Sequence, residues 1–344
     1  IYLATGSHLA EYIKKKVPDI NYVIEPCAKN TAPCIGLSAI KLLEKEPNAI
    51  MFIETTDHTY KDTDKYLKHI KVATELAKDD KIVLVGIKPS HPHTGFGYIH
   101  QSTPYKMIEN IESFNIEAFK EKPDLDTAKA YLESGEYLWN AGIFIAKVSV
   151  MVEAIQQHMP DLYEALMKIL NSGFNQQILD YQFKDFVPDQ SIDYGIMEKA
   201  KNTVVIRGDM HWDDIGDWDA MDRAHDKDPA GNVIKGGFEG SAKNCIIFSN
   251  SKVKADDIED LIIVDTKDSL LVCKKGKSQR VKEVVKSIEK QNKDLFKDYN
   301  TDPQELYIPI DSDCDVKGNF TIATIEVNNL IIEKNESGVT IKKR

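Results

Sequence analysis

Two acidic stretches stand where a chain of alternating strands and helices would hold a cation. Ala49 to Glu54 (AIMFIE) is an apolar, β-rich run that passes directly into Thr55, Thr56, Asp57 and His58. An aspartate just past the carboxyl end of a buried strand lies in the ligand crevice of an open α/β sheet, where its hard oxygens can hold Mg²⁺ against nucleotide phosphates. The same position suits a turn or a helix cap. The second stretch, HWDDIGDW (His211 to Trp218), follows the strand-like run Val204 to Ile206 and packs Asp213, Asp214 and Asp217 beside two tryptophans and a glycine. Like charge at that density costs repulsion unless a cation or solvent relieves it. A solvated acidic turn anchored by its tryptophans meets the same pattern.

Four further segments carry groups suited to a sugar or a phosphate. In PSHPHTGFGYIH (Pro89 to His100), Gly95 and Gly97 let backbone approach a ligand, and Tyr98 offers a flat apolar face with a hydroxyl. His91, His93 and His100 lack the added carboxylate or third ordered ligand of a zinc site and read as a flexible loop. In FKEKP (Phe119 to Pro123), Glu121 is suited to accept hydrogen bonds from sugar hydroxyls and Lys122 supplies a point charge for a phosphate. YLWNAGIFIA (Tyr137 to Ala146) sets Asn140 and Gly142 at the mouth of an apolar strand, where an amide reads hydroxyls or forms a turn. SIDYGIMEKA (Ser191 to Ala200) opens a helix whose first Ser and Asp also serve as caps.

Strands and helices have to bring these segments together. Ala49 to Glu54 and Ile82 to Ile87 read as buried strands. Tyr66, Leu67, Ile70, Ala73, Leu76 and Ala77 recur between them at helical spacing. Strand, helix, strand implies a parallel βαβ unit, and its repetition to about residue 225 an open α/β sheet with helices on both faces. The chain opens with a short strand, Ile1 to Thr5, entering a helix over Ser7 to Lys16. Beyond the Gly-, Asp- and Pro-rich HDKDPAGNVIKGG (His225 to Gly237) come short β-rich runs, a basic helix over about Gln279 to Phe296, and FTIATIEV and NLIIEK near the end. No repeat is long or regular enough to establish a solenoid, and a few coils of one would escape notice by eye.

The 344 residues suit one large domain plus a smaller one, with 42% hydrophobic and 29% charged residues as in ordinary folded proteins. A net charge of −11 argues against a nucleic-acid partner, and no apolar run reaches a membrane span or a signal peptide. The expectation is a cytoplasmic protein with no membrane partner. Five scattered cysteines (27, 34, 245, 273 and 314) without CxxC spacing read as reduced, structural thiols.

In order and spacing, EPCAKNTAPCIG (Glu25 to Gly36), TTDH, GIKPSHPHTGFGYI, FKEKP with YLWNAGIF, SIDYGIMEK and HWDDIGDW resemble the landmarks of bacterial mannose-1-phosphate guanylyltransferases, over about Ile1 to Phe296. DLIIVDTKDSLLVCKK with VKEVVKSIEK resembles that family's small β-rich domain. The resemblance implies a mostly parallel, Rossmann-like nucleotidyltransferase sheet over residues 1–228 and a β-rich domain over 229–344 with its helix near 279–296. It implies an enzyme that makes GDP-mannose and pyrophosphate from mannose 1-phosphate and GTP with Mg²⁺.

Carried over by position, Asp57 and Asp214 hold the metal, because HWDDIG is similar to a Trp-x-Asp-x-Gly pattern that selects Asp214 over Asp213. Lys122 meets the sugar phosphate and completes the catalytic set with the two aspartates. Glu121 and Asn140 read mannose hydroxyls, with Gly97, Tyr98, Gly142 and Asp193 in the same pocket. Glu25, Asn30 and Thr31 belong to the segment that approaches guanine.

In that family a glycine-rich loop with an arginine and a lysine holds the nucleotide phosphates just after the first strand. The sequence contains no such loop and opens near the family's third strand, so the expectation is a truncated chain with little or no turnover. Thr301 to Arg344 matches nothing in the family, and with no histidine after His225 a fused phosphomannose isomerase is not expected. Two other readings stay open: a nucleotidyltransferase using UTP or dTTP with glucose 1-phosphate, and a non-catalytic sugar-nucleotide-binding regulatory subunit. The hydrophobic tail after Asn319 suits pairing across a homodimer as well as folding back.

Overall fold

The structure, a computed structural model, describes residues 1–267, 269–291, 306–310, 312–317, 321–335 and 337–343. The chain forms two compact units. One comprises Ile1–Thr56 and Tyr60–Trp212, the other Asp57–Thr59 and Asp213–Arg344. In chain order to the end of the first unit the elements are β1 (Tyr2–Gly6), α1 (Ser7–Lys16), β2 (Asn21–Glu25), α2 (Thr31–Leu43), β3 (Ile50–Ile53), β4 (His58–Tyr60), α3 (Thr63–Ala77), β5 (Ile82–Ile87), β6 (Tyr98–Ile108), β7 (Ile111–Lys120), α4 (Leu125–Ser134), β8 (Tyr137–Lys147), α5 (Val148–His158), α6 (Pro160–Asn171), α7 (Gln176–Asp185), β9 (Thr203–Gly208) and β10 (Trp212–Asp214).

The first unit is α/β, built on a mixed sheet ordered β3-β8-β5-β9-β7-β6, with β1 and β2 pairing in parallel on their own. Alternation along β5 sets its two layers. Ile82 and Leu84 pack with Ile35, Ile40, Met51 and residues of α5 and α6, including Ile155 and Leu162. Val83 and Val85 pack on the opposite side with Val72, Ala73, Leu76 and Ala77 of α3. Each valine, leucine, isoleucine or methionine among them contributes about 1.5–3 kcal/mol on full burial. Helix starts are capped as their sequences dictate: Asp62 Oδ1 accepts from Lys65 N at 3.0 Å and Asp124 Oδ1 from Thr127 N at 2.8 Å.

The β3-α3-β5 passage differs from a simple βαβ neighbour pair. β3 and β5 run in the same direction, but β8 lies between them, antiparallel to both, while β5 pairs in parallel with β9. The reason is in β8 itself. Leu138 to Ala141 and Ile143 to Ala146 are buried, and a strand apolar on both faces needs an interior place in the sheet.

The second unit continues with α8 (Met221–Ala224), β11 (Val233–Lys243), β12 (Ile246–Glu259), β13 (Leu261–Asp265), β14 (Ser269–Lys274), α9 (Val281–Gln291), β15 (Leu306–Ile310), β16 (Asp313–Lys317), β17 (Thr321–Ile325), β18 (Asn328–Asn335) and β19 (Gly338–Lys343). Part of the basic helix expected to reach Phe296, and Thr301 to Glu305 of the proline-bearing stretch, lie outside the described residues.

Its strands stack largely in parallel. β11 and β13 flank β12, whose far half pairs with β19, and β17 lies parallel to both β14 and β15. Two antiparallel pairs, β13 with β14 and β18 with β19, turn the chain back. Alternate residues divide between two cores: Ile247, Val253, Ile263, Val272 and Ile332 in one, Ile246, Ile262, Val264, Cys273 and Ile325 in the other. Between the coils a buried ion pair replaces apolar packing. Lys334 Nζ pairs with Asp265 Oδ1 and donates also to the carbonyl oxygens of Thr266 and Ser269. Among the described residues no helix is long and apolar enough to cross a membrane.

Candidate functional site

In the first unit, segments far apart in sequence meet in one polar cluster. Glu121 follows the last residue of β7 and is buried; its Oε1 accepts from Lys122 Nζ at 2.6 Å. Lys122 has φ +45°, a left-handed conformation uncommon for a side-chain-bearing residue, and its N–H donates to Phe96 O at 3.2 Å. On β8, Asn140 is buried, its N–H donates to Gly97 O at 2.8 Å, and its Nδ2 donates to Asp193 Oδ1 at 2.9 Å. Asn140 Oδ1 accepts from Gly142 N at 3.2 Å, where Gly142 takes φ +67°. Gly97 cannot carry a side chain here, since a Cβ would fall 2.5 Å from Glu121 Oε2. Asp193 opens a π-helical turn (Asp193–Met197), an irregularity common at functional positions.

Electrostatics divide the two acids and the lysine. Burial, then the nearby Glu121 charge, pushes the Asp193 carboxyl up to about 6, against the pull of its hydrogen bonds and of Lys122. Burial alone would lower the Lys122 ammonium, but the hydrogen bond and charge of Glu121, with Asp193 and Tyr194 behind it, hold it above the ordinary lysine range. The result is a cation held at the edge of a buried carboxylate and amide pair.

The EPCAKNTAPCIG segment joins this cluster from another side. Asn30 caps α2 with φ +72°, its Oδ1 accepting from Thr31 N at 3.0 Å, and Thr31 Oγ1 accepts from Ile192 N at 2.9 Å, one residue before Asp193. Glu25, at the end of β2, is half-buried; burial raises its pKa, with a hydrogen bond from the Cys34 thiol opposing. Burial and Glu25 in turn push that thiol up to about 12, so it is inert.

Tyr98 is fully buried, and its hydroxyl accepts from His93 N at 3.0 Å, so it holds the neighbouring loop by its inner end. That loop is packed rather than loose: His93 stacks on Phe96 at 3.9 Å, and both His91 and Phe96 meet Trp139 edge-on. His100 stacks on Tyr137. Aromatic packing is what the histidine-rich spelling conceals.

In the second unit, Asp57 to Thr59 lies along Asp213 to Ile215. Ile215 N donates to Asp57 O at 2.9 Å. The three carboxylates of HWDDIGDW have separate fates. Asp213 is taken by Arg223 in a two-pronged fork at 2.7 and 2.8 Å. Asp217 caps Ala220 N at 2.9 Å and accepts from Gln279 Nε2. Asp214 alone keeps a buried oxygen, Oδ1, without a hydrogen-bond partner. Burial, then the Asp57 charge, raises its pKa, with His58 and the Gly216 N–H opposing. A Cβ at Gly216 would lie 2.8 Å from the same oxygen, so a side chain there would displace the Asp214 carboxylate. A buried carboxylate oxygen without a hydrogen bond, beside a second carboxylate, is a hard donor set that a divalent cation fits. Among the described residues no group of three or more His, Cys, Asp or Glu gathers for a metal, so two protein carboxylates are what this place offers.

A model described as nucleotidyl transferase matches residues 4–231. The chain belongs to the nucleotidyl transferase family. A second model, described as a mannose-phosphate isomerase/GMP-like beta-helix domain, matches residues 241–288, in keeping with the parallel stacking of the second unit. A mannose-1-phosphate guanylyltransferase of Salmonella montevideo is 38% identical over 280 residues, covering 79% of this chain and 58% of that protein. The alginate biosynthesis protein AlgA of Pseudomonas aeruginosa is 32% identical over 312 residues, covering 89% of this chain and 64% of that protein. The chain thus spans about six tenths of the length of these curated relatives. A solved structure titled mannose-1-phosphate geranyltransferase, from Thermus thermophilus, superposes with a TM-score of 0.73 at 30% identity, covering 84% of each chain.

Sequence reasoning missed residues that act through others. Arg223, which removes Asp213 from contention, lies ten residues downstream with no motif around it. Glu54 accepts from the hydroxyls of Tyr60 and Tyr66, the latter at 2.8 Å, and so ties the end of β3 to α3. Glu198, whose Oε1 accepts from Glu121 N at 3.1 Å, lies inside the SIDYGIMEK motif, which assigns it no role. For that residue the motif itself is the available signal.

Proposed function

We propose that this protein is a mannose-1-phosphate guanylyltransferase, joining mannose 1-phosphate to the GMP part of GTP with release of pyrophosphate. The observation that carries the reading is Asp214, which keeps an unpartnered buried oxygen beside Asp57 while its two neighbouring acids are satisfied. The choice of mannose and guanine rests on similarity to relatives of that name.

In this reading a phosphate oxygen of mannose 1-phosphate attacks the α-phosphorus of GTP in line, the bond to the β-phosphate oxygen breaks, and pyrophosphate leaves. Asp57 and Asp214 hold Mg²⁺, which when bound supplies positive charge against the phosphates. Lys122 meets the sugar phosphate as a fixed point charge, presented by its left-handed backbone and by Glu121. Glu121 and Asn140 accept and donate hydrogen bonds to mannose hydroxyls, and Asp193 fixes the Asn140 amide so that its rotation is not spent on binding. Gly97 lets the Glu121 carboxylate lie close against the strand, Gly142 leaves room for the ring, and Tyr98 steadies the loop beside it. Glu25, Asn30 and Thr31 face the base. No covalent enzyme intermediate is required. Residues 1–228 carry this chemistry and 229–344 form an accessory β-rich domain.

The test is pyrophosphate release with mannose 1-phosphate and each nucleoside triphosphate, for the protein in the form its native source makes and for Asp214→Asn in that same form. The reading expects GTP-dependent release that collapses in the variant, and fails if the variant turns over like the wild type.

A further inference from the structure

Glu121 and Lys122 sit on a short strap where β7 has ended. The ladder between β6 and β7 closes at Tyr98 and Lys120, so the Glu121 N–H has no strand partner and would be a buried orphan donor. It is satisfied by a side chain from 77 positions along the chain, the carboxylate of Glu198, at 3.1 Å. A charged acceptor makes such a bond stronger than a carbonyl would. On the other side of the strap the Lys122 N–H is held by Phe96 O, and between these two anchors Lys122 adopts φ +45°. A strained residue of this kind persists only where its surroundings over-determine it.

Glu198 also closes the turn that carries Asp193: its own N–H donates to Asp193 O at 3.0 Å. Asp193 in turn orients Asn140. One residue therefore reaches the backbone of Glu121, the neighbour of Lys122, through its side chain and the backbone of Asp193, which sets the amide, through its own N–H.

We propose that Glu198 is a positioning residue for sugar-phosphate recognition, fixing the Glu121–Lys122 strap and the Asp193 turn in register without touching the sugar itself. The proposal rests on the reading of this cluster as the sugar 1-phosphate pocket. Its specific content is that loss of the Glu198 acceptor weakens the sugar phosphate and leaves the nucleotide alone.

The experiment compares wild type, Glu198→Ala, Glu198→Gln and Glu198→Asp by calorimetric binding of mannose 1-phosphate and of GTP, with steady-state KM and kcat and thermal melting alongside. Glu198→Ala is expected to weaken mannose 1-phosphate about tenfold, the scale of one charge-assisted hydrogen bond, with GTP binding within about twofold. Glu198→Gln, which keeps an oxygen acceptor, is expected to recover most of the loss. If the alanine variant does not fold, Glu198→Asp serves: it keeps charge and packing but draws the acceptor back by one methylene, and the same selective weakening is expected. Mannose 1-phosphate binding as tight as wild type in the alanine or aspartate variant overturns the proposal, as does equal weakening of both ligands with a lowered melting temperature. A wild type that binds neither mannose 1-phosphate nor glucose 1-phosphate overturns the sugar-pocket reading itself, an outcome distinct from both.

Discussion

Asp214 and Asp193 are both carboxylates held against their preference, and the sign of that cost makes each testable. Burial and a neighbouring carboxylate raise the pKa of Asp214 above the ordinary aspartate value of 3.8, so the folded state binds its proton more tightly than the unfolded chain does. The ionised form thus subtracts stability, and the loss develops as pH rises from 3.8 through the folded value. Asp214→Asn should leave the melting temperature at pH 7.5 unchanged or higher, while turnover falls on the order of 10²–10³-fold. A plain solvated turn would lose no activity.

The same variant should lose stabilisation by a divalent cation. Wild type should melt at higher temperature as MgCl₂ is raised, by mass action on the folded state, and Asp214→Asn should not. For Asp193, raised to about 6, the window lies between the ordinary 3.8 and that value. Asp193→Asn should therefore gain more stability relative to wild type at pH 8 than at pH 4, measured by thermal melting at both. The amide pocket would at the same time bind mannose 1-phosphate less well. Residue type and spacing announce the acids, and only the likeness to a Trp-x-Asp-x-Gly pattern selects Asp214 among them; the physical difference, that Arg223 takes Asp213 and the Ala220 N–H bonds Asp217, is not legible in the sequence.

At the scale of elements, the sequence is most legible where periodicity and capping agree. The helix between β3 and β5 begins at an Asp62 cap and follows its apolar repeat to Ala77, and β5 occupies the six residues Ile82–Ile87 of its apolar run. What periodicity cannot convey is order across the sheet: β8 enters between β3 and β5 from far along the chain, a choice made by burial of both its faces. The SIDYGIMEK motif likewise reads as a helix start, whereas the chain forms a π-turn there, with Glu198 N bonded to Asp193 O.

The β-rich unit hides a further element-level feature, the buried pair of Lys334 and Asp265. Burial alone would raise the Asp265 carboxyl, but hydrogen bonds from Lys334 and Ser251 outweigh it and hold it below 3.8. Its contribution is present above 3.8 and is lost as pH falls below that value. Lys334→Met strands a buried charge and should cost about 3–5 kcal/mol, read as a lower denaturant midpoint. An unchanged midpoint would mean the coils hold without the pair.

For the molecule as a whole, fold class follows from alternating strand and helix patterns, and the parallel stacking of the second unit does not, since its coils are short and their turns irregular. The chain pairs a nucleotidyl transferase sheet with a β-helical module; the polar cluster of the first unit draws residues from many parts of that unit, and the Asp57–Asp214 pair belongs to the second. The proposed activity is transfer of a guanylyl group to mannose 1-phosphate. Its most direct test is pyrophosphate release by the protein isolated from its native source, with mannose 1-phosphate, Mg²⁺ and each nucleoside triphosphate in turn. Release with GTP and accumulation of GDP-mannose is the result this account predicts. Release that instead requires glucose 1-phosphate with UTP or dTTP, or no release with any pair, would contradict it.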